Sequence, residues 1–194
     1  RNHSSYYSGD IPWVKTGEIN WNYIFDSEEK ITEEAIRNSS ARMYPPDTVL
    51  VAMYGQGLTR GRASILGIAA STNQAVCALQ VSNSLMSKFL YYFFMANYWT
   101  LRERAVGGNQ LNYSATMIGK WEINLPTIPE QEEIVRIIDN FISKEEQAKE
   151  LIEAEYKRIS VIRNSILSKA FHGELGTNNP NDEDAKELVK RILG

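Results

Sequence analysis

The stretch Leu125-Pro126-Thr127-Ile128-Pro129-Glu130-Gln131-Glu132-Glu133-Ile134-Val135 divides this chain of 194 residues in two. Its prolines mark the clearest boundary in the sequence, because proline lacks an amide donor and is tolerated only in the first turn of a helix. From Glu130 to about Phe171 there is neither glycine nor proline. Glu130, Glu132 and Glu133 open that stretch, where carboxylates favour the positive end of the helix dipole. A long helix is therefore expected. Apolar residues recur along it at Ile134, Ile138, Phe141, Ala148, Ile152, Ile159, Ile162 and Ile166, the heptad rhythm of a helix that packs along one seam. Glu145 and Glu155 interrupt the seam. At ~1.5 Å per residue the helix would run roughly 60 Å, more than one small domain can cover, so the seam calls for a second helix. Gly173 ends it. Asn178-Asn179-Pro180-Asn181 forms a polar linker, and Asp182 to Leu193 has the pattern of a short amphipathic helix.

Ahead of the boundary the sequence is mixed. Trp13-Val14-Lys15 is strand-like and is followed by a Thr16-Gly17 turn. Thr32 is placed to cap a short helix through Ile36 and Arg37, its hydroxyl accepting an orphan amide. Pro45-Pro46-Asp47 starts a turn. The β-branched, apolar run Thr48 to Tyr54 predicts a buried strand. A glycine loop, Gly55-Gln56-Gly57-Leu58-Thr59-Arg60-Gly61, precedes a second strand over Arg62 to Leu66, and a third is expected from Gln74 to Val81. Residues 84–105 lack glycine and proline and carry Leu85, Phe89, Tyr92, Phe93 and Leu101, which predicts one buried helix with Ser82 to Ser84 as cap candidates. A polar loop at 109–114 and a last strand near Trp121-Glu122-Ile123 complete this part. The class expected is α+β. A mixed or antiparallel sheet domain with flanking helices spans 1–126, a long coiled-coil-type helix 127–173, and a linker with a short helix 174–194.

Composition excludes several classes. Apolar residues make up 43% and charged residues 23%, as in ordinary globular domains. The single cysteine, Cys77, lies in the apolar run Ala75-Val76-Cys77-Ala78-Leu79 and cannot form an internal disulfide, which fits a reducing cytoplasm. The polar stretch Arg1-Asn2-His3-Ser4-Ser5 does not have the form of a signal peptide. The apolar stretch Phe89 to Met95 is far short of a membrane span. Net charge is −3, but residues 1–129 carry 11 basic against 10 acidic groups, leaving the excess acid to the remainder. The first part is slightly positive, well below the basic footprint of a protein that holds DNA alone.

The residue inventory is poor in chemistry. His3 and His172 are far apart and the one thiol cannot join them in a zinc site of usual spacing. No Gly-x-Ser-x-Gly elbow occurs. The carboxylates lie mostly on helix surfaces, as solvated faces do. The pattern Gly-x-Gly-x-x-x-Gly at 55–61 misses both the dinucleotide fingerprint and the P-loop, so no cofactor is expected.

Two readings of that loop stand side by side. It is a hairpin loop whose glycines supply positive φ, or it also reads DNA. With its flanks it offers Tyr54, Gln56, Thr59, Arg60 and Arg62; glutamine can pair with adenine and arginine with guanine through two bonds each. Asn109-Gln110-Leu111-Asn112-Tyr113 and Ser71-Thr72-Asn73-Gln74 have the same character, although Asn73 and Gln74 are equally suited to bonding nearby backbone. The aromatic residues Phe89, Tyr91, Tyr92, Phe93, Phe94, Tyr98 and Trp99 fit core packing better than a base-stacking platform, with Tyr91 and Trp99 partly exposed.

Several segments together resemble one family. Ile11-Pro12-Trp13-Val14-Lys15-Thr16-Gly17-Glu18-Ile19 is similar to the opening of a target-recognition domain in type I restriction–modification specificity subunits. Asp47 to Ala52 with Tyr54-Gly55 resembles that family's central strand and glycine turn, and Asn73-Gln74-Ala75 a tripeptide recurring there. Leu125 to Val135 resembles the lead into its spacer helix, and Ser165-Ile166-Leu167-Ser168-Lys169-Ala170-Phe171-His172-Gly173-Glu174-Leu175 the finish of that helix.

The resemblance implies a non-catalytic subunit whose recognition domain reads one half of a split double-stranded DNA target. It implies that spacer helices pair antiparallel as a ruler and dock methyltransferase (modification) subunits, to which restriction subunits can add. The family carries two recognition domains and two spacer helices; this chain has one of each, as a C-terminal half or a natural half-subunit would. The residues expected at DNA are Tyr54, Gln56, Thr59, Arg60, Arg62, Asn109, Gln110, Asn112 and Tyr113, with Lys15 on phosphate. A homodimer through the 134–166 seam is expected of the isolated chain. The competing classes are a coiled-coil adaptor that binds protein alone and, last, an enzyme using carboxylates.

Overall fold

The computed structural model describes residues 4–104, 113–176, 181 and 184–194. They fall into two compact units, Arg1–Ile138 and Asp139–Gly194. The first starts with a 3-10 turn at Ser4–Tyr7, β1 (Ile11–Val14), a second 3-10 turn at Thr16–Glu18, β2 (Tyr23–Ile24), β3 (Lys30–Ile31) and α1 (Glu33–Arg37). β4 (Met43–Tyr44), β5 (Val49–Ala52), β6 (Ala63–Leu66), β7 (Ala70–Thr72) and β8 (Val76–Leu79) follow. Then come α2 (Ser87–Ala96), α3 (Tyr98–Arg104), α4 (Ala115–Gly119), α5 (Ile128–Phe171) and α6 (Ala185–Leu193). The α+β class expected from the sequence is the one observed.

The strands form two mixed sheets, ordered β3-β1-β7-β4 and β2-β6-β5-β8. β1 with β7 and β2 with β6 are parallel; the other pairs are antiparallel. β5 has no polar alternation because both its faces are covered, as a continuous apolar run requires. Leu50 and Ala52 enter one core cluster with Val14, Ile24, Leu66 and Ala70, so residues of both sheets meet there. Val49 and Val51 alternate to the opposite face with their partners Ile65 and Ala63, and α2 packs on β5 and β6. Thr32 caps α1 as expected, its Oγ1 accepting the Ala35 amide at 3.2 Å.

Four expectations need correction. The helix predicted over 84–105 is two, α2 and α3, broken at Asn97, whose side-chain amide donates to the Phe93 carbonyl at 2.8 Å. A short polar side chain that bonds the preceding turn competes with helical geometry. Its start is not capped by a serine: Ser82 and Ser84 bond each other at 3.1 Å, and the Met86 amide is met instead by Gln131. The segment 121–126 has no strand; Trp121 packs edge-on against Phe93 at 6.0 Å, and strand propensity achieves nothing without a pairing edge. Ser71 and Thr72, expected in a loop, lie in β7 at the centre of the first sheet.

The long helix begins where the sequence places it. Thr127 donates its amide and hydroxyl to the Glu130 carboxylate at 2.8 and 2.7 Å, and these bonds lower the Glu130 pKa. The Glu130 side chain thus reaches back to satisfy the Thr127 amide, one half of a capping box. Gln131 and Val135, one turn apart, are the buried residues of α5, while Ile134 and Ile138 are half-buried.

In the second unit the seam is open. Phe141, Ile152, Ile159, Ile162 and Ile166 are all more than half exposed, and Ala148 is exposed too. Leu151, Tyr156 and Leu167, which the heptad pattern had not singled out, add to the exposed apolar surface. Both interruptions pair along the helix, Glu145 with Lys149 at 2.6 Å and Glu155 with Arg158 at 3.7 Å. Asp184 caps α6 through the Lys186 amide at 2.8 Å. Among the described residues no helix is long and apolar enough to cross a membrane.

Candidate nucleic-acid interface

The loop between β5 and β6 is set by its closure. The Ala52 amide donates to the Arg62 carbonyl and the Gly61 amide to the Ala52 carbonyl, both at 2.9 Å. Between these bonds the chain turns twice, the Thr59 amide meeting the Gln56 carbonyl at 3.3 Å and the Arg62 amide the Thr59 carbonyl at 3.1 Å. Gly57 and Gly61 hold φ of +58° and +86°, the left-handed region that glycine occupies at no steric cost. A Cβ on Gly61 would also lie 3.4 Å from the Tyr113 ring and 3.5 Å from the Tyr98 ring. Gly61→Ala should therefore lower stability by about 1–2 kcal/mol, read as a reduced denaturant midpoint at unchanged slope. A midpoint equal to wild type would show that the loop relaxes to another path.

Beneath the loop lies an aromatic cluster. Trp21 contacts Tyr91 and Tyr98 edge-on at 6.1 and 5.4 Å, and Tyr98 contacts Trp99 at 5.0 Å. The Tyr91 hydroxyl donates to the Trp21 carbonyl at 2.8 Å, and burial pushes its pKa up to about 12. Tyr91 is thus core, where partial exposure was expected, whereas Trp99 is 63% exposed.

From this base α3 reaches the loop backbone. Arg102 donates through Nη1 to the Arg60 carbonyl and through Nη2 to the Gly57 carbonyl, each at 2.8 Å. Tyr98 donates its hydroxyl to the Leu58 carbonyl. The Arg102 guanidinium lies 5.3 Å from the Tyr98 ring centre and 5.9 Å from that of Trp99. Neither Arg102 nor Tyr98 was singled out from sequence as a loop contact. Nothing local marks them, since their partners are about forty residues away.

The expected site residues are distributed unevenly. Tyr54 and Gln56 are exposed; Thr59, Arg60 and Arg62 are half-buried. Tyr113 is brought to the same place: its amide donates to the Met53 carbonyl at 3.0 Å and the Arg60 guanidinium lies over its ring at 5.5 Å. It is only 2% exposed, and burial raises its hydroxyl pKa, so it stands as a support beneath Arg60. Arg62 bonds the Asn20 side chain. Lys15 is held between Glu28 and Glu29, each at 3.1 Å, which raise its pKa; its charge is already met by carboxylates. Asn73 closes its own turn, Oδ1 accepting the Ala75 amide at 3.1 Å. Gln74 is exposed and lines a separate cleft of about 500 Å³ with Trp13, Asn38, Arg42 and Thr72. Asn109, Gln110 and Asn112 lie outside the described residues. Among those described, no group of three or more His, Cys, Asp or Glu is arranged to hold a metal. The loop offers hydrogen bonds of mixed polarity.

Comparison with known proteins places this geometry. Residues 3–156 match the family profile of the type I restriction modification DNA specificity domain. The specificity subunit of the type I restriction enzyme EcoR124I/EcoR124II of Escherichia coli is 26% identical over 137 residues, covering 69% of this chain and 34% of that subunit. The MjaIX specificity subunit of Methanocaldococcus jannaschii is 28% identical over 158 residues, covering 76% and 35%. The chain thus spans about a third of the length of these relatives. Its fold superposes with TM-score 0.74 on a chain from a structural study of type I R-M complex assembly and conformational transition, at 18% identity, covering 89% of this chain and 42% of that one. For the HsdS subunit of Thermoanaerobacter tengcongensis the TM-score is 0.59 at 21% identity, with 89% and 40% covered.

Proposed function

The chain belongs to the family of type I restriction modification DNA specificity domains, and on that footing we propose that it reads one half of a bipartite double-stranded DNA target through the β5–β6 loop. The observation that carries this reading is the tethering of the loop. Gln56, Thr59 and Arg60 sit on backbone held by α3, and base edges are discriminated only by donors and acceptors kept in place. The near-neutral charge of residues 1–129 assigns much of the phosphate contact to other subunits. The exposed seam of α5 supports pairing with a second spacer helix, from another copy or from the rest of a longer subunit. The same helices dock modification (methyltransferase) subunits, and restriction subunits join that assembly. Methyl transfer and cleavage belong to those partners; this chain is non-catalytic. The lone thiol Cys77, which forms no disulfide within the chain, fits the cytoplasm.

Selection from randomised duplex DNA by the chain assembled with its modification subunit tests the reading. A defined half-site should emerge; indifference to sequence would leave an adaptor that works through its helix alone. Arg60→Ala should cost ~1–3 kcal/mol on the selected site and relax one base position. Uniform weakening on all sequences would instead assign Arg60 to phosphate.

A further inference from the structure

We infer that Arg102 is a positioning residue for sequence discrimination: from α3 it fixes the path of the β5–β6 loop through hydrogen bonds to main-chain carbonyls. The inference rests on the reading of that loop as the base-reading element.

The loop has little order of its own. Between its closing bonds at Ala52 and Arg62 it makes two turn bonds, of 3.3 and 3.1 Å, and it contains Gly55 and Gly57, both at positive φ. Such backbone has many accessible paths. Three of its carbonyls, those of Gly57, Leu58 and Arg60, are taken by α3, two by Arg102 and one by the Tyr98 hydroxyl. The Arg102 fork spans two carbonyls three residues apart, and its guanidinium lies over the Tyr98 and Trp99 rings, which restricts a long side chain. A planar guanidinium meets two acceptors at fixed spacing; the point charge of a lysine cannot. Thr59 lies between the pinned carbonyls and Gln56 directly precedes them, so the direction in which each projects depends on Arg102.

A second consequence follows from the partners being carbonyls. Every residue type supplies one. The clamp therefore tolerates exchange of Gln56 or Thr59, and the loop can carry different reading residues on one backbone path. Specificity is separated from the device that orders it.

The test compares wild type, Arg102→Ala, Arg102→Lys and Tyr98→Phe in the full chain. Free protein is treated briefly with trypsin and cleavage after Arg60 is followed by mass spectrometry. The chain assembled with its modification subunit is then titrated with the selected duplex and with unrelated duplex. Arg102→Ala should be cut after Arg60 at least tenfold faster. Its preference for the selected duplex should fall tenfold or more, with affinity for unrelated DNA unchanged. Arg102→Lys should recover less than half of the preference. Tyr98→Phe, which loses one hydroxyl and keeps the ring, should fall between and serves if the alanine variant does not fold. Full preference in Arg102→Ala, or in Tyr98→Phe should the alanine variant not fold, overturns the positioning role and leaves the base-reading loop standing. An equal loss on both duplexes overturns it also, marking Arg102 as a phosphate contact. A wild-type complex without preference would overturn both.

Discussion

Gln131→Ala should destabilise the chain by about 3 kcal/mol. Gln131 is fully buried, and its amide makes three bonds of 2.9 Å: Oε1 accepts from the Met86 amide, while Nε2 donates to the carbonyls of Ser84 and Pro126. It joins the first turn of α5 to the start of α2, and it does for α2 what no serine does. Truncation removes the partner of three part-buried backbone groups, each worth about 1–3 kcal/mol where water cannot replace it, and the site recovers part of this as it relaxes. For a chain of this size the melting temperature should fall by roughly 6–12 °C. Gln131→Met, which keeps the volume without donors or acceptor, separates hydrogen bonding from packing and should cost nearly as much. A melt within about 2 °C of wild type for either variant would mean that water takes over the three bonds, and that the clasp is dispensable.

The second large effect concerns the open seam. The isolated chain should be a two-fold dimer at tens of micromolar, and Ile159→Glu combined with Ile166→Glu should return it to monomer. Each isoleucine is worth about 1.5–3 kcal/mol when buried from water. With Ile159 61% and Ile166 52% exposed, two per copy amount to roughly 3–7 kcal/mol, some two to five orders of magnitude in Kd. The introduced carboxylates would also add charge to a seam already interrupted by Glu145 and Glu155. Val161→Glu is the control: two residues beyond Ile159 it lies on the other side of the helix, and it is already 68% exposed. Light scattering decides between the outcomes. A wild-type monomer at those concentrations would remove the proposed self-pairing, as would a double variant that still dimerises.

The fold divides between near and distant causes. Helix α5 was legible because everything that specifies it is local: two prolines at the start, glutamates in the first turn, a heptad period and a closing glycine. The same holds for the Thr32 cap, for the continuous apolar β5, and for the glycines that turn the loop after it. The order of the family motifs pointed to the domain that the comparisons identify. What stayed hidden was whatever depends on a partner remote along the chain. β2, β3 and β4 are two residues long and exist only because a neighbouring edge accepts their hydrogen bonds. β7 reads as a polar loop until β1 and β4 flank it. Gln131 and Arg102 look like surface residues in a linear reading. Residues near in sequence reveal their geometry through period and capping, because their separation is set by covalent structure. The turn between β5 and β6 could be located in that way. The bonds from Arg102 and Tyr98 that order it exist only after α3 has packed beneath it, where chain closure brings together groups whose separation no pattern encodes.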